Sequence, residues 1–174
     1  AIAVVGSDVY AGGEFTDAGT NVLADHIARY DGTNWNALGV GLNGAALAIT
    51  ESGSDVYVGG GFTNAGGDAN ADNIARWDGA AWHGLDVGLN NTVNAIAVSG
   101  TTIYVGGAFT DAGGIPSADY GARWITTGLY WMQLGNDLNN MVTSIAVEGP
   151  DVYFGGWFTD GGSIPQADHI IRWN

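Results

Sequence analysis

Asp55-Val-Tyr-Val-Gly-Gly-Gly-Phe-Thr-Asn-Ala-Gly-Gly67, with its sequel Asp72-Asn-Ile-Ala-Arg-Trp-Asp-Gly-Ala-Ala-Trp82, is one copy of a unit that recurs along the whole chain. Its tyrosine returns as Tyr10, Tyr57, Tyr104 and Tyr153, at spacings of 47, 47 and 49 residues. A fixed period of this size is the mark of a repeat architecture. Two residues after each tyrosine comes a glycine pair: Gly12/Gly13, Gly59/Gly60, Gly106/Gly107 and Gly155/Gly156. Phe-Thr follows at Phe15, Phe62, Phe109 and Phe158, and then an aspartate at Asp25, Asp72, Asp119 and Asp168. Four residues later stands an arginine next to an aromatic residue: Arg29-Tyr30, Arg76-Trp77, Arg123-Trp124 and Arg172-Trp173.

Each copy reads as four short strands. The first is Ala1-Ile-Ala-Val4, matched by Ala48-Ile49, Ala95–Val98 and Ser144–Val147. A Gly-rich turn leads into the Val-Tyr-x-Gly-Gly strand, as a hairpin requires. Ile27–Tyr30 and its relatives form the third strand, and the fourth begins at Trp35, Trp82 or Trp131. In the third copy the last turn, Ile125–Tyr130, is two residues longer, which explains the spacing of 49. Glycines inside a strand weaken it unless something must come close to the backbone. The recurring pair therefore predicts a large ring lying over it, with the repeat tryptophan as the candidate.

No segment carries helical periodicity, so the expectation is an all-β chain. Four antiparallel strands in each unit correspond to propeller blades. The blades run over about residues 1–47, 48–94, 95–143 and 144–174, the last without its outer strand. The start at Ala1, within a strand pattern, and the stop at Trp173-Asn174 lead to a further expectation: a processed segment or a piece of a larger ring, completed by additional blades or another chain.

The order Ala-Ile-Ala-Val, turn, Val-Tyr-Val-Gly-Gly, loop, Ile-Ala-Arg-Trp-Asp-Gly, Trp-x-x-Leu resembles the Kelch-type repeat of galactose-oxidase-like propellers over essentially the whole chain. The resemblance implies the propeller fold and little chemistry, because propellers host many functions. The Phe-Thr-Asp-Ala-Gly-Gly loop, and Asp-Gly where Kelch repeats often have Asp-Pro, suggest a divergent, microbial or extracellular branch rather than a cytosolic adaptor.

Among the 174 residues, 18 Asp and Glu stand against 4 Lys and Arg, a net charge of −14. All four bases are the repeat arginines, and lysine is absent. Such a surface repels phosphate backbones and anionic lipid headgroups, which argues against nucleic acid as a partner. No apolar run is long enough to insert in a membrane. Cysteine is absent too, which removes disulfides and thiolate chemistry.

The motifs of enzymes are weak here. Gly39-Val-Gly41-Leu-Asn-Gly44 matches a dinucleotide-binding pattern but lacks the strand before it and the helix after it, so it reads as a link between blades. Asp68-Ala-Asn70-Ala-Asp72 spaces three oxygen ligands as a calcium loop begins. Its sixth and twelfth positions, Asn73 and Gly79, are not those of an EF-hand. A solvated Asp/Asn turn is the first reading and a weak calcium loop the second. His26, His83 and His169 fall in separate copies and form no metal set. No catalytic residue and no cofactor is assigned.

The repeated pairs Asp25/Arg29, Asp72/Arg76, Asp119/Arg123 and Asp168/Arg172 are read as structural. Four residues along a strand span about 13 Å, so any pairing must cross between strands or blades. Trp157 breaks the pattern, since Glu14, Gly61 and Ala108 hold its place elsewhere. With Phe154, Ile170 and Ile171 it marks the last blade as a contact surface, and Trp157 and Phe154 are the candidate ligand or interface residues.

The leading functional expectation is a non-catalytic binding or scaffolding propeller, extracellular or on a cell surface, with a protein or glycan partner. The alternatives are the propeller fragment of a secreted carbohydrate-active or oxidising enzyme, and a structural component of a surface layer.

Overall fold

The computed structural model describes residues 1–134, 138–161 and 167–173. Residues 135–137, in the third link, and 162–166, in the fourth Phe-Thr loop, lie outside the described residues. Four antiparallel sheets account for the strands. Sheet 1 contains β1 (Ile2–Val5), β2 (Asp8–Gly12), β3 (Ile27–Tyr30) and β4 (Trp35–Ala37). Sheet 2 contains β5 (Ala46–Ser52), β6 (Asp55–Gly60), β7 (Ile74–Trp77) and β8 (Trp82–Gly84). Sheet 3 contains β9 (Val93–Ser99), β10 (Thr102–Gly107), β11 (Gly121–Ile125) and β12 (Tyr130–Gln133). Sheet 4 has three strands, β13 (Val142–Glu148), β14 (Asp151–Gly156) and β15 (Ile170–Trp173). Neighbours in sequence are neighbours in each sheet, the layout of a propeller blade. The chain divides into two compact units: Ala1–Gly88 holds sheets 1 and 2, and Leu89–Asn174 holds sheets 3 and 4.

The repeat fixes the register. Tyr57 stands opposite Thr50 on one side and Arg76 on the other, and Tyr10, Tyr104 and Tyr153 occupy the same place in their sheets. The turn between the first two strands carries Gly6, Gly53, Gly100 or Gly149, all with φ between 57° and 66°, a conformation that costs glycine nothing. From sheet 2 onward the first strand starts earlier than its apolar pattern indicates. A register shift lets it begin at Ala46, Val93 or Val142.

This early start explains the glycine pairs and corrects the expectation of a ring above them. A Cβ on Gly60, Gly107 or Gly156 would strike the carbonyl oxygen of Ala45, Thr92 or Met141, just where the first strand of the same sheet enters. A Cβ on Gly12 would lie 2.7 Å from the Ala46 Cβ and 2.9 Å from the Ile49 Cδ1, both on sheet 2. One on Gly106 would collide with Val142 of sheet 4. Gly12 and Gly106 thus admit the next sheet, and Gly60, Gly107 and Gly156 admit the first strand of their own sheet.

The tryptophans rest on a different glycine. Trp35, Trp82 and Trp131 lie against Gly19, Gly66 and Gly113 of the Ala-Gly turn, where a Cβ on Gly66 would be 2.6 Å from the Trp82 Cδ1. Each also packs at a tilt or edge-on against the aromatic of the third strand: Tyr30–Trp35, Trp77–Trp82 and Trp124–Trp131 have centroids 5.2–5.3 Å apart. The loop between second and third strands ends on a residue held in left-handed conformation, His26, Asn73, Tyr120 or His169. Its N–H donates to the carbonyl of Phe15, Phe62, Phe109 or Phe158, and its own carbonyl accepts from the second glycine of the pair. Two backbone bonds thus hold a conformation that non-glycine residues seldom adopt.

The core of Ala1–Gly88 joins Tyr10, Ile27 and Leu38 to Val56, Phe62 and Trp82. In Leu89–Asn174, Tyr104 and Leu138 pack with Val152, Phe154 and Phe158. The Trp82 indole N–H also donates to the Leu38 carbonyl, 2.8 Å away, tying sheet 2 to sheet 1. Trp82→Ala removes a buried ring together with that bond and is expected to cost about 3–5 kcal/mol. Equilibrium denaturant unfolding reads this directly, and an unchanged midpoint would contradict the packing described.

Candidate functional site

Most polar side chains that might do chemistry are spent on the backbone. Asp25 and Asp72 do not face Arg29 and Arg76. Their Oδ1 atoms accept from the N–H of Asp17 (3.0 Å) and Asn64 (2.8 Å), the left-handed residues that open the Ala-Gly turns. The arginines instead pair within their own sheet: Arg29 with Asp8 at 3.5 Å, Arg76 with Asp55 at 2.8 Å and Arg172 with Asp151 at 3.6 Å. For these three arginines the acid partner therefore lies in the same sheet. In sheet 3 Thr102 takes the place of the acid, and Arg123 lies over the Trp173 ring, 4.7 Å from its centroid. Partly exposed ion pairs of this kind stabilise weakly, by about 0–1 kcal/mol. Their contribution is to orientation. Asp119 keeps its repeat position before β11, and Asp168 is exposed at the end of the fourth loop.

Sequence reasoning missed a clamp that recurs three times. Asn43 in the link after sheet 1 donates from Nδ2 to the Thr63 hydroxyl and accepts the Thr63 N–H. Asn90 with Thr110 and Asn139 with Thr159 make the same two bonds. The signal was present in the recurrence of Asn in the link and Thr after Phe, exactly 20 residues apart each time. Neither residue type alone points to the other.

The Asp68-Ala-Asn70-Ala-Asp72 loop is likewise committed. Asp68 accepts from the Asn70 and Gly84 N–H groups at 3.0 and 2.8 Å, and these bonds hold its carboxyl below the usual carboxylate range. Asp72 accepts the Asn64 N–H, so both aspartates of the loop also hold its backbone. Among the described residues no group of three or more His, Asp or Glu side chains is arranged to hold a metal ion. His26 and His169 place Nδ1 3.2 and 3.1 Å from the carbonyls of Gly13 and Gly156. His83 sits 2.7 Å from Asp78, whose carboxyl is held low first by the Ala81 N–H, then by His83 and the Ala80 N–H. Asp31 is lowered in the same turn of sheet 1 by the Asn34 N–H, the Asn36 amide and the Thr33 N–H.

Part of the open surface is aromatic. Phe62, Phe109 and Phe158 are fully buried, and Trp82 and Trp131 nearly so, whereas Phe15 and Trp35 of sheet 1 are only half-buried. Together with Ala11, Ala18 and Gly19 they line a cleft of about 290 Å³. The counterpart in sheet 2 is filled, because Leu38 and Leu42 join the cluster that covers Phe62 and Trp82. Trp157 is 66% exposed, its backbone N–H fixed to the Met141 carbonyl. Phe154, proposed beside it as a contact residue, belongs to the core and meets Tyr104 edge-on at 6.3 Å. Of that pair only Trp157 offers a surface.

No family model matches the chain. No curated protein matches it either. Among solved structures it is similar to the computationally designed Ika4 protein, with a TM-score of 0.58 and 15% identity over 99% of this chain and 88% of that one. It is also similar to the computationally designed Ika8 protein, with a TM-score of 0.53 and 18% identity over 96% of this chain and 46% of that one. At this identity the likeness concerns the fold alone, a propeller-like series of repeated sheets. No helix among the described residues is long and apolar enough to cross a membrane.

The lowered carboxyls of Asp31, Asp68 and Asp78 define an acid limb. A carboxyl held below its unfolded value, about 3.9, stabilises the fold above that pH, and the stabilisation is lost as pH falls through the folded value. The melting temperature should therefore hold near neutrality and drop below about pH 4. Replacing all three by Asn should make that drop shallower when the melting temperature is followed by circular dichroism. An equally steep drop in the triple variant would contradict the assignment.

Proposed function

We propose that the chain is a non-catalytic binding module of the cell exterior, using exposed aromatic surface to hold a neutral glycan. One observation carries the reading: Asp25, Asp68, Asp72 and the Asn–Thr clamps fix loops, while Phe15 and Trp35 line an open cleft whose sheet 2 counterpart is filled. An indole face suits the apolar face of a sugar ring, and the Trp35 N–H has no acceptor among the described residues. Trp157 offers a second flat aromatic surface. The net charge of −14 disfavours anionic ligands and suits neutral or cationic ones. The resemblance of the repeat to Kelch-type propellers fits a scaffold that presents such surfaces, and a lysine-free, acid-rich chain fits an exported one.

A glycan array followed by calorimetry on the best neutral oligosaccharide tests the proposal. Trp35→Ala should weaken binding about tenfold, the equivalent of roughly 1.4 kcal/mol. Trp157→Ala reports whether the second surface takes part. Absence of binding to any neutral glycan, or affinity untouched by either substitution, would overturn the reading.

A further inference from the structure

The three Asn–Thr clamps make the same bonds but are followed by different residues. Asn43 donates to the Thr63 hydroxyl at 2.9 Å and accepts the Thr63 N–H at 2.8 Å. Asn90 with Thr110, and Asn139 with Thr159, repeat both bonds at 2.9–3.1 Å. The next residue is Asn91 or Asn140 in two of the links and Gly44 in the first. Asn91 and Asn140 turn their own Oδ1 onto the N–H of Thr92 and Met141, 2.8 Å away in each case. Gly44 has no side chain to place there, and Asn43-Gly44 is the one Asn-Gly step in the chain.

An Asn-Gly step is prone to attack on itself. No Cβ on the glycine hinders the approach of its nitrogen to the asparagine Cγ, and glycine turns freely to bring it there. The bond between the Gly44 nitrogen and Asn43 Cγ forms, that nitrogen gives up its proton, and the side-chain nitrogen leaves as ammonia, closing a succinimide. Water then opens the ring at either carbonyl, to aspartate or to isoaspartate. Asn43 is exposed, so water reaches it. Two features of the fold oppose the first step. The clamp pins both Oδ1 and Nδ2 of Asn43 to Thr63, in the loop after β6. Gly44 is pressed on Gly61, where an added Cβ would lie 2.5 Å from the Gly61 carbonyl oxygen, so its peptide has little room to turn.

We propose that Asn43-Gly44 is a site of self-modification whose rate the Thr63 clamp sets, slow while the clamp is shut and fast whenever that link opens locally. All the groups involved lie within Ala1–Gly88. Isoaspartate at this position adds one carbon to the backbone between the clamp and Ala45, whose carbonyl accepts the Gly61 N–H at 3.0 Å. Conversion therefore disturbs the entry of β5 and loosens sheet 2 at its first strand. Asn90 and Asn139 hold equivalent clamps without the glycine, and serve as controls within the same molecule.

Ageing the protein near neutral pH tests the proposal, with peptide mapping of the amide-to-acid mass gain and enzymatic methyl labelling of isoaspartate. Asn43 should convert about thirtyfold more slowly in the folded chain than in the chain unfolded in urea, the combined factor for two hydrogen bonds of ordinary strength. Thr63→Val removes one of the two bonds and should speed conversion about fivefold, with the wild-type circular dichroism spectrum retained. Thr110→Val should leave Asn90 unconverted over the same period, which separates Asn-Gly chemistry from a merely loosened loop. Protein enriched in isoaspartate should melt at a lower temperature than fresh protein. Equal rates in the folded and unfolded chain, no acceleration in Thr63→Val, Asn90 converting as fast as Asn43, or an unchanged melting temperature would each overturn the proposal.

Discussion

The structure depends on how closely one sheet can approach the next. A side chain at Gly12 would overlap Ala46 and Ile49, and one at Gly106 would overlap Val142. Without those glycines the neighbouring first strand would stand away from the sheet, and the apolar faces between them would lose their packing. Burial of Tyr10, Ile27 and Tyr104 follows from that approach, as does the reach of the Trp82 indole to Leu38. Sheet 4 shows the same geometry adapted to three strands. There the third-strand Trp173 donates to the Leu134 carbonyl at 2.7 Å, the bond that the fourth-strand Trp82 makes to Leu38.

Polar groups serve this packing from the loops. Asp25, Asp72 and the Asn–Thr clamps satisfy backbone and side-chain groups in segments that have no ladder of their own. Each bond contributes modestly, about 1 kcal/mol, and the same bonds recur from copy to copy. A chain so organised offers function through its exposed surfaces. Those surfaces are aromatic where a neighbouring sheet fails to cover a repeat position, as at Trp35, and where the repeat itself is broken, as at Trp157.

The sequence made the fold legible because repetition multiplied weak signals: strand pattern, turn glycines and period agreed four times. Partners across space were less legible. Arg76 and Asp72 recur together, yet the register puts Arg76 next to Asp55, a pairing visible only once the hairpin is aligned. The glycine under Trp82 turned out to be Gly66 of the loop, because the ring lies over the turn and not over the strand. Trp35 and Trp82 occupy equivalent places in the pattern, so nothing in the repeat distinguishes an open ring from a buried one. That difference comes from the sheet beside each of them. Phe154 looked like extra apolar surface for the same reason, although it lines the core.

The most direct test of the close-approach constraint is the unfolding free energy of Gly12→Ala. Alanine in place of glycine in a strand with room to spare raises stability by about 0.4–1 kcal/mol, through the unfolded chain. At Gly12 the added methyl group meets Ala46 and Ile49 below 3.0 Å, so the account predicts a loss of about 1–3 kcal/mol from overpacking. A neutral or stabilising Gly12→Ala would contradict it.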